Sequence, residues 1–118
     1  MKTSELIGAA LDWAVAKCEG LTIEAFGRYG VAVIECQKMY SPSTDWSQGG
    51  PIIEREKITI GYERYGSPGG ETWDAVKKAS HEDTVLWIEY GPTPLIAAMR
   101  CYVASKLGDE VEIPEELR

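Results

Sequence analysis

Apolar residues recur every three or four positions near the start of the chain, which is the period of an amphipathic helix. Ser4 precedes the series as a candidate N-cap, and Gly20 follows it as a stop signal. The pattern therefore predicts an N-terminal helix with one face in the core. The residues on that face are Leu6, Ile7, Ala10, Leu11, Ala14, Val15 and Cys18.

The same period returns towards the other end of the chain. Thr93 is a candidate cap, Pro94 occupies the first helical position, and Gly108 follows the last apolar residue. We expect a second helix between Thr93 and Gly108. Its apolar face consists of Leu95, Ala98, Met99, Tyr102, Val103 and Leu107.

Between the two helices the pattern changes to that of strands. Residues 31–36 are rich in β-branched side chains, residues 57–65 alternate between apolar and polar, and residues 84–90 are β-branched and aromatic. The GSPGG sequence at 66–70 predicts a turn, whereas residues 72–83 fit either a helical turn or a short strand. The prediction is an α+β fold in which both helices pack on a small antiparallel sheet of about three to four strands.

Residues 41–53, SPSTDWSQGGPII, follow neither period. Serines, an aspartate, paired glycines and a proline favour turns, so the sequence predicts a loop. Connections in compact domains usually have about 4–6 residues, and a core gives no reason to place Trp46 in this one. Because binding residues concentrate on loops, we interpret the segment as a recognition loop. We expect other aromatic residues to fill the apolar face of the sheet instead, namely Tyr62, Trp73 and Trp87.

Composition limits the class of protein. The chain has 118 residues, of which 44% are hydrophobic and 26% charged, as expected for a single globular domain over residues 1–118. We expect no membrane association, because the sequence has no membrane-spanning apolar run and Glu5 interrupts any signal-peptide core. Three cysteines without CxxC spacing indicate free, mostly buried thiols and a cytoplasmic protein.

The net charge of −7 is unevenly distributed. Residues 109–118, DEVEIPEELR, form an acidic C-terminal tail with five acids and one arginine, which leaves −3 for the rest of the chain. Long-range attraction to a phosphate backbone is therefore excluded, and we expect no nucleic acid partner. The remaining charge is also too small to favour mimicry of DNA.

The sequence contains no motif for catalysis or metal binding. His81 is the single histidine and lies in a polar stretch, so we interpret it as a surface residue. The sequence lacks an HExxH motif and a histidine cluster for zinc. Gly49 and Gly50 lack the flanking residues of a phosphate-binding loop. We therefore predict a protein that is not an enzyme and has no metal or cofactor.

Two features could hold a ligand. Trp46 could stack on a nucleobase while Arg55 pairs with a phosphate. The helix N-terminus at Thr93 could hold an anion, with Arg100 further along the same helix; the simpler alternative is that Thr93 only starts the helix. The candidate binding residues are Tyr40, Thr44, Asp45, Trp46, Gln48, Gly49, Gly50, Arg55, Thr93 and Arg100.

Three blocks of sequence carry a family resemblance: LIGAALDWAVAKCEG at 6–20, YSPSTDWSQGGPIIEREKI at 40–58, and GPTPLIAAMRCYVASKLGDEVEIP at 91–114. Together they cover about half of the chain and resemble the NinX family of lambdoid-type bacteriophages. The resemblance implies a phage accessory protein that acts in the host bacterial cytoplasm, and it assigns no catalytic residues. Because one block contains the predicted loop, we interpret this loop, folded over the start of the last helix, as a binding surface.

Two functions fit these observations. The first is a non-enzymatic protein that sequesters a nucleotide-derived host defence signal. A homo-oligomer is expected in that case, because small chains often complete a pocket between subunits. The alternative is an interaction module that binds and inhibits a host protein, with Trp46 as a hot spot and the acidic tail steering it towards a basic target.

Overall fold

Three helices and two small antiparallel sheets make up the part of the chain that a computed structural model describes, residues 1–67, 69–78 and 85–118. The α+β class predicted from the sequence is confirmed, although the strands are divided between two sheets instead of one. The helices are α1 (Gly8–Cys18), α2 (Trp46–Glu56) and α3 (Pro94–Leu107). The strands are β1 (Ile23–Ala25), β2 (Val31–Val33), β3 (Lys38–Tyr40), β4 (Thr59–Tyr62), β5 (Trp73–Lys78) and β6 (Val85–Gly91).

The first sheet is a meander of three short strands in the order β1-β2-β3. The predicted strand at 31–36 is wrong at its C-terminal end, because β2 stops at Val33. There the chain turns back, with the Gln37 N–H donating to the Val33 carbonyl at 2.8 Å and Gln37 at φ 55°. This tight turn, which the apolar run conceals, leads directly into β3.

The second sheet has the order β4-β5-β6 and lies against α3. The strands predicted within 57–65 and 84–90 are confirmed, and the ambiguous segment 72–83 forms strand β5 over Trp73–Lys78. Residues 79–83 of that segment, including His81, lie outside the described residues.

Close contact with α3 identifies the inner face of the second sheet. Ala75 is fully buried, and a Cβ at Gly91 would lie 2.6 Å from the Ala97 nitrogen. Trp73 and Trp87 are partly buried and pack against the core, as expected. The same expectation is wrong for Tyr62, which is 64% exposed. The Tyr62 ring contacts the Trp73 ring edge-on, with the two ring centroids 5.2 Å apart.

The boundaries of α3 agree with the sequence. The Thr93 hydroxyl accepts a hydrogen bond from the Ile96 N–H at 3.1 Å, Pro94 is the first helical residue, and Gly108 follows the last. In contrast, Ser4 does not cap α1, which begins at Gly8 after an extended Ile7. Ser4 instead belongs to a short 3-10 turn, Thr3–Glu5.

The prediction that 41–53 is entirely a loop is wrong, because residues 46–56 form α2. Asp45 caps this helix through a hydrogen bond from the Ser47 N–H at 2.9 Å. Gly49 and Ile52 are buried, and Ile53 and Glu56 are half-buried, so one helical face is turned inward. The turn-forming composition hid this spacing. Pro51 lies inside the helix, where it lacks the N–H that would donate a hydrogen bond to the preceding turn.

Residues 109–118 are folded onto the body of the protein. The Val111 N–H donates to the Met1 carbonyl at 2.9 Å, and the Thr3 N–H donates to the Asp109 carbonyl at 2.8 Å. The apolar side chains of Val111, Ile113 and Leu117 are buried in the core. The acidic side chains of this segment remain on the surface: Glu110, Glu112, Glu115 and Glu116 are exposed.

The three thiols are free and lie in different environments. Cys101 is buried under the second sheet, Cys18 is half-buried and Cys36 is exposed in the turn after β2. Burial raises the pKa of Cys101 to about 12 and that of Cys18 to about 11. The thiols of Cys18 and Cys101 are therefore protonated at neutral pH and poor nucleophiles.

Candidate functional site

A shallow apolar cleft lies where the N-terminus of α2 meets the N-terminus of α3. We call it the Trp46 cleft; its volume is about 210 Å³. Trp46 is 54% exposed at its edge. The structure thus brings together three of the sequence-predicted residues, Thr44, Trp46 and Thr93. The full lining is Ser43, Thr44, Trp46, Thr93, Pro94, Leu95 and Ile96.

Trp46 is held in place by hydrogen bonds on both sides of it. Asp45 accepts from both the amide and the hydroxyl of Ser47, at 2.9 and 2.6 Å. The Gln48 side chain accepts from the Ser41 N–H at 2.6 Å and donates to the Met39 carbonyl at 3.2 Å. Asp45 and Gln48, both predicted as ligand contacts, therefore fix the backbone that carries the tryptophan.

Gly49 sets the distance between α2 and α3. A Cβ at this position would lie 2.5 Å from the Pro42 carbonyl oxygen and 2.6 Å from Leu95 Cδ1. Only glycine allows the helix to approach so closely. Gly50 faces the other way, and a Cβ there would meet only the Trp46 ring, at 4.0 Å.

A buried carboxylate supports the segment beneath the cleft. Asp12 on α1 is 6% exposed and accepts a hydrogen bond from the Ser43 N–H at 2.8 Å. Burial raises the pKa of Asp12 to about 6, and the hydrogen bond from the Ser43 N–H offsets only part of that effect. The wall of the cleft is thus connected to α1 through a group that titrates just below neutral pH.

We predict that Asp12 makes the protein less stable as the pH rises. The folded state binds the Asp12 proton more tightly than the unfolded chain does. The contribution of Asp12 to the free energy of unfolding is therefore largest at acid pH and is lost between about pH 4 and about pH 6. Asp12→Asn removes the titration. Urea unfolding gives the free energy of unfolding of this variant and of the natural protein. The difference, variant minus natural protein, should increase by about 2–3 kcal/mol between pH 4 and pH 7. A difference that does not change with pH would contradict the raised pKa.

The start of α3 offers few donors to an anion. The Thr93 hydroxyl accepts from the Ile96 N–H, the Ala97 N–H donates to the Thr93 carbonyl at 3.1 Å, and Pro94 has no N–H. The cap is therefore filled from within the helix. This geometry agrees with the simpler of the two interpretations of Thr93.

Arg55 lies at the other end of α2 and is bound within the protein. Its guanidinium makes a bidentate ion pair with Glu19 at 3.0 and 2.7 Å, and its Nε donates to Glu56 at 2.9 Å. The Tyr102 hydroxyl donates to the same Glu19 carboxylate at 2.5 Å. The Arg55 hydrogen bond is the main cause of the lowered pKa of Glu19, and burial opposes it.

Glu56 extends this network to the second sheet. It accepts from Lys77 Nζ at 2.6 Å, and Lys106 Nζ lies 3.6 Å from the same oxygen. Burial alone would raise the pKa of Glu56, but the hydrogen bonds from Lys77 and Arg55 hold it at about 2. The charges at this end of α2 therefore connect the helix to β5 and α3.

Arg100 is also committed to internal contacts, and it does not line the Trp46 cleft. It is 4% exposed. Its Nε donates to the Leu6 carbonyl at 2.8 Å, and its Nη1 donates to the Tyr90 carbonyl at 2.7 Å and to Glu71 at 3.0 Å. Arg100 thus joins the segment before α1, the end of β6 and the segment before β5.

Tyr40 likewise packs against the core, and burial raises its pKa to about 12. The sequence analysis missed Ser43, Leu95 and Ile96 as parts of the cleft wall. Leu95 was assigned to the core face of α3 from its period alone. No local signal in the sequence shows that Leu95 and Ile96, in the first turn of α3, line a cleft.

The first sheet carries a second apolar concavity of about 340 Å³ on its outer face. Phe26, Ile34 and Met39 are each nearly half exposed there, and Glu24 is the acidic residue of the lining. The sequence analysis missed this groove, because strands of three residues are too short to display a reliable alternation.

The fold and these contacts define a small α+β protein with an apolar cleft, in which Arg55 and Arg100 are paired internally. Among the described residues, no group of three or more His, Cys, Asp or Glu side chains is placed to hold a metal ion. The helices in the described ranges are all too short or too polar to cross a bilayer.

Residues 2–106 match the model of the family described as Bacteriophage P22, NinX. The match covers most of the chain, and the protein belongs to this family. A search of curated proteins found no match.

Proposed function

We propose that this phage protein is a non-enzymatic binding protein that captures and inhibits a host protein through the Trp46 cleft. The observation that supports this proposal is the half-exposed Trp46 ring at the edge of an apolar concavity. Tryptophan is the residue most enriched among interface hot spots, which are usually centred on a few well-packed anchors. The host bacterial cytoplasm is the proposed place of action.

The size of the cleft favours a protein partner. Sites for small ligands usually enclose about 300–1,000 Å³ and surround most of the ligand. The Trp46 cleft has about 210 Å³ and is open to solvent. A single apolar side chain of a partner would fit in it beside Trp46. This arrangement resembles one anchor of a larger protein interface.

The surface charge favours a basic partner. The chain has a net charge of −7, and four exposed glutamates lie in residues 109–118. Opposite charge on a partner accelerates association and lowers the affinity for acidic competitors. We therefore propose a host protein whose apolar contact residue is surrounded by lysine or arginine.

Sequestration of a nucleotide-derived defence signal is the alternative proposal, and the exposed Trp46 ring is what favours it. Stacking on a base is worth about 1–3 kcal/mol. The phosphate would need a cation, however, and Arg55 is held by Glu19 and Glu56. A nucleotide would have to compete with both carboxylates.

The test compares Trp46→Ala with a matched control, Tyr65→Ala, whose ring is 91% exposed. The natural protein is recovered from infected cells, its bound molecules are identified by native mass spectrometry, and binding is repeated with the purified partner. We expect a host protein whose affinity falls tenfold or more with Trp46→Ala, equivalent to about 1.4 kcal/mol. Tyr65→Ala should bind normally. Both variants should melt close to the natural protein.

The outcomes separate the proposals. A nucleotide retained by the natural protein and lost from Trp46→Ala would support sequestration instead. Equal binding by both variants would show that the cleft is not the recognition surface. If Trp46→Ala unfolds the protein, Trp46 is a structural residue, and both proposals for the cleft are wrong.

A further inference from the structure

The concavity on the outer face of the first sheet, which we call the first-sheet groove, is built around one small residue. Register places Glu24, Ala32 and Met39 directly opposite one another on β1, β2 and β3. Val31 is fully buried, so the alternation along β2 turns the methyl group of Ala32 to the outer face. Ala32 is nevertheless only 9% exposed, because the longer side chains of Glu24 and Met39 rise on either side of it. Ala32 therefore forms the floor of the groove.

Two apolar side chains meet at one end of this groove. The Phe26 N–H donates to the Gly30 carbonyl at 2.9 Å, so Phe26 lies opposite the start of β2. A Cβ at Gly30 would lie 3.1 Å from Met39 Cε, which places the end of the Met39 side chain over Gly30. Phe26 and Met39 are 47% and 45% exposed. An aromatic ring and an adaptable thioether are thus accessible together.

Glu24 supplies the negative charge of the groove. It is exposed, and it makes no hydrogen bond or ion pair with any residue that the structure describes. Opposite residues on neighbouring strands have Cβ atoms about 4.5–5.5 Å apart, so the Glu24 carboxylate reaches a group that lies on Ala32. An apolar floor beside an unpaired carboxylate suits a side chain with an aliphatic stem and a cationic head.

We propose that an arginine side chain of the captured host protein binds in the first-sheet groove, with its stem on Ala32 and its guanidinium paired with Glu24. The inference rests on the proposed capture of a host protein and adds a second contact to the one at Trp46. Arginine suits the groove better than lysine. Its planar guanidinium pairs with a carboxylate through two hydrogen bonds and stacks on an aromatic face such as that of Phe26. Arginine is also enriched among interface hot spots.

The shape of the groove favours a side chain of a protein over a free small molecule. The volume is about 340 Å³, but Phe26, Ile34 and Met39 in its lining are nearly half exposed. Sites for small molecules usually surround most of the ligand. A side chain in an open groove is held in addition by the other contacts of the protein that carries it.

The first-sheet groove and the Trp46 cleft are close enough to be covered by one partner. The chain runs from Met39 on β3 directly to Thr44, which lines the cleft. Met39 and Trp46 are seven positions apart, a distance that an extended chain spans in at most about 25 Å. The Gln48 side chain fixes this connection by donating to the Met39 carbonyl at 3.2 Å. An ordinary interface buries about 800 Å² on each partner, which is enough for both sites.

The groove is tested first with a small probe, the methylamide of N-acetyl-arginine, titrated into the full chain while backbone amide shifts are followed by NMR. The citrulline derivative, in which a neutral urea replaces the guanidinium, is the matched control. We expect saturable shifts at Glu24, Ala32 and Met39 with millimolar arginine probe, and none with citrulline. Equal shifts with the two probes, or shifts that do not saturate, would overturn the inference.

Variants locate the binding of the probe. Glu24→Gln should weaken it at least fivefold, whereas Glu35→Gln removes the same charge from an exposed glutamate outside the lining and should have no effect. Ala32→Leu keeps the carboxylate but fills the floor, so it should also prevent binding. Trp46→Ala should bind the probe normally. Circular dichroism must show that each variant is folded, and full binding by either Glu24→Gln or Ala32→Leu would overturn the inference.

The captured host protein provides the second test. Glu24→Lys should weaken its binding at least tenfold, because two cations would then meet, whereas Glu35→Lys should bind within twofold of the natural protein. Capture that depends on Trp46 and not on Glu24 would overturn this inference and leave the proposed function intact. Saturable binding of the arginine probe without recovery of any host protein would refute the proposed function and keep the arginine site.

Discussion

Arg100→Ala should destabilise the protein by about 3–5 kcal/mol, because it removes a buried guanidinium that pairs with the partly buried Glu71. The guanidinium is 4% exposed and donates to two backbone carbonyls and to Glu71. Alanine leaves these acceptors without a donor and leaves space between α3 and the two segments that Arg100 connects. Urea unfolding followed by circular dichroism measures the loss.

An exposed arginine serves as the control for this prediction. Arg64 lies on the surface beside the Tyr65 ring, at 5.7 Å from its centroid, so Arg64→Ala should change stability by no more than about 0.5 kcal/mol. Arg100→Lys should lie between the two, because one ammonium group cannot reproduce the planar fork. Normal stability of Arg100→Ala together with a loss of ligand binding would instead assign Arg100 to a binding site, as the sequence predicts.

Two adjacent glycines in α2 should respond in opposite ways to alanine. Gly49→Ala places a methyl group 2.5 Å from the Pro42 carbonyl oxygen, and this backbone atom can move only if α2 shifts away from α3. We expect a net loss of about 1–3 kcal/mol, typical of overpacking. Gly50→Ala makes only an ordinary contact with the Trp46 ring, at 4.0 Å, and should stabilise the protein by about 0.5–1 kcal/mol, because alanine favours the helix.

Thermal unfolding of the two variants provides the measurement, and each is the control for the other. Both carry the same chemical change, one residue apart on one helix, so their difference reports only the packing at Gly49. Equal stabilisation by both alanines would show that α2 is not in contact with Pro42 and Leu95. The position of Trp46 relative to α3 would then be wrong as well.

The sequence predicted those elements whose signals are local. For α3, a cap, a proline at the first position and a long apolar period all agree, and the helix has the expected ends. The apolar period of α1 was also sufficient to predict a helix, but the predicted N-cap, Ser4, was wrong. The buried Thr3 side chain, donating to the Gly108 carbonyl at 2.6 Å, makes the polar contact there, and Ser4 does not. Only the folded chain brings residue 108 to that position.

The same limit explains the errors around the candidate site. The inward spacing of Gly49, Ile52, Ile53 and Glu56 was present in the sequence, and so was the Asp45 cap. Turn-forming residues outweighed both signals. Sequence analysis correctly placed the Trp46 segment at the start of α3. In the structure, Trp46 and Thr93 line the same cleft.

The prediction that Arg55 and Arg100 bind a ligand has a different weakness. Their partners are distant in the sequence: Arg55 pairs with Glu19, and Arg100 bonds to Leu6 and Glu71. No motif indicates such convergence. An arginine close to a predicted site therefore cannot be assigned to a ligand before its intramolecular partners are known.

The pairing of the first residues with residues 109–111 bears on how the protein is made. During synthesis the N-terminal segment is made long before residues 108–111, so the hydrogen bonds of Thr3 to Asp109 and Gly108 must wait for them. The buried side chains of Val111, Ile113 and Leu117 arrive later still. Contacts between such distant parts of a chain are slow to form. The final closure of the core must therefore wait until residues 109–117 have been synthesised.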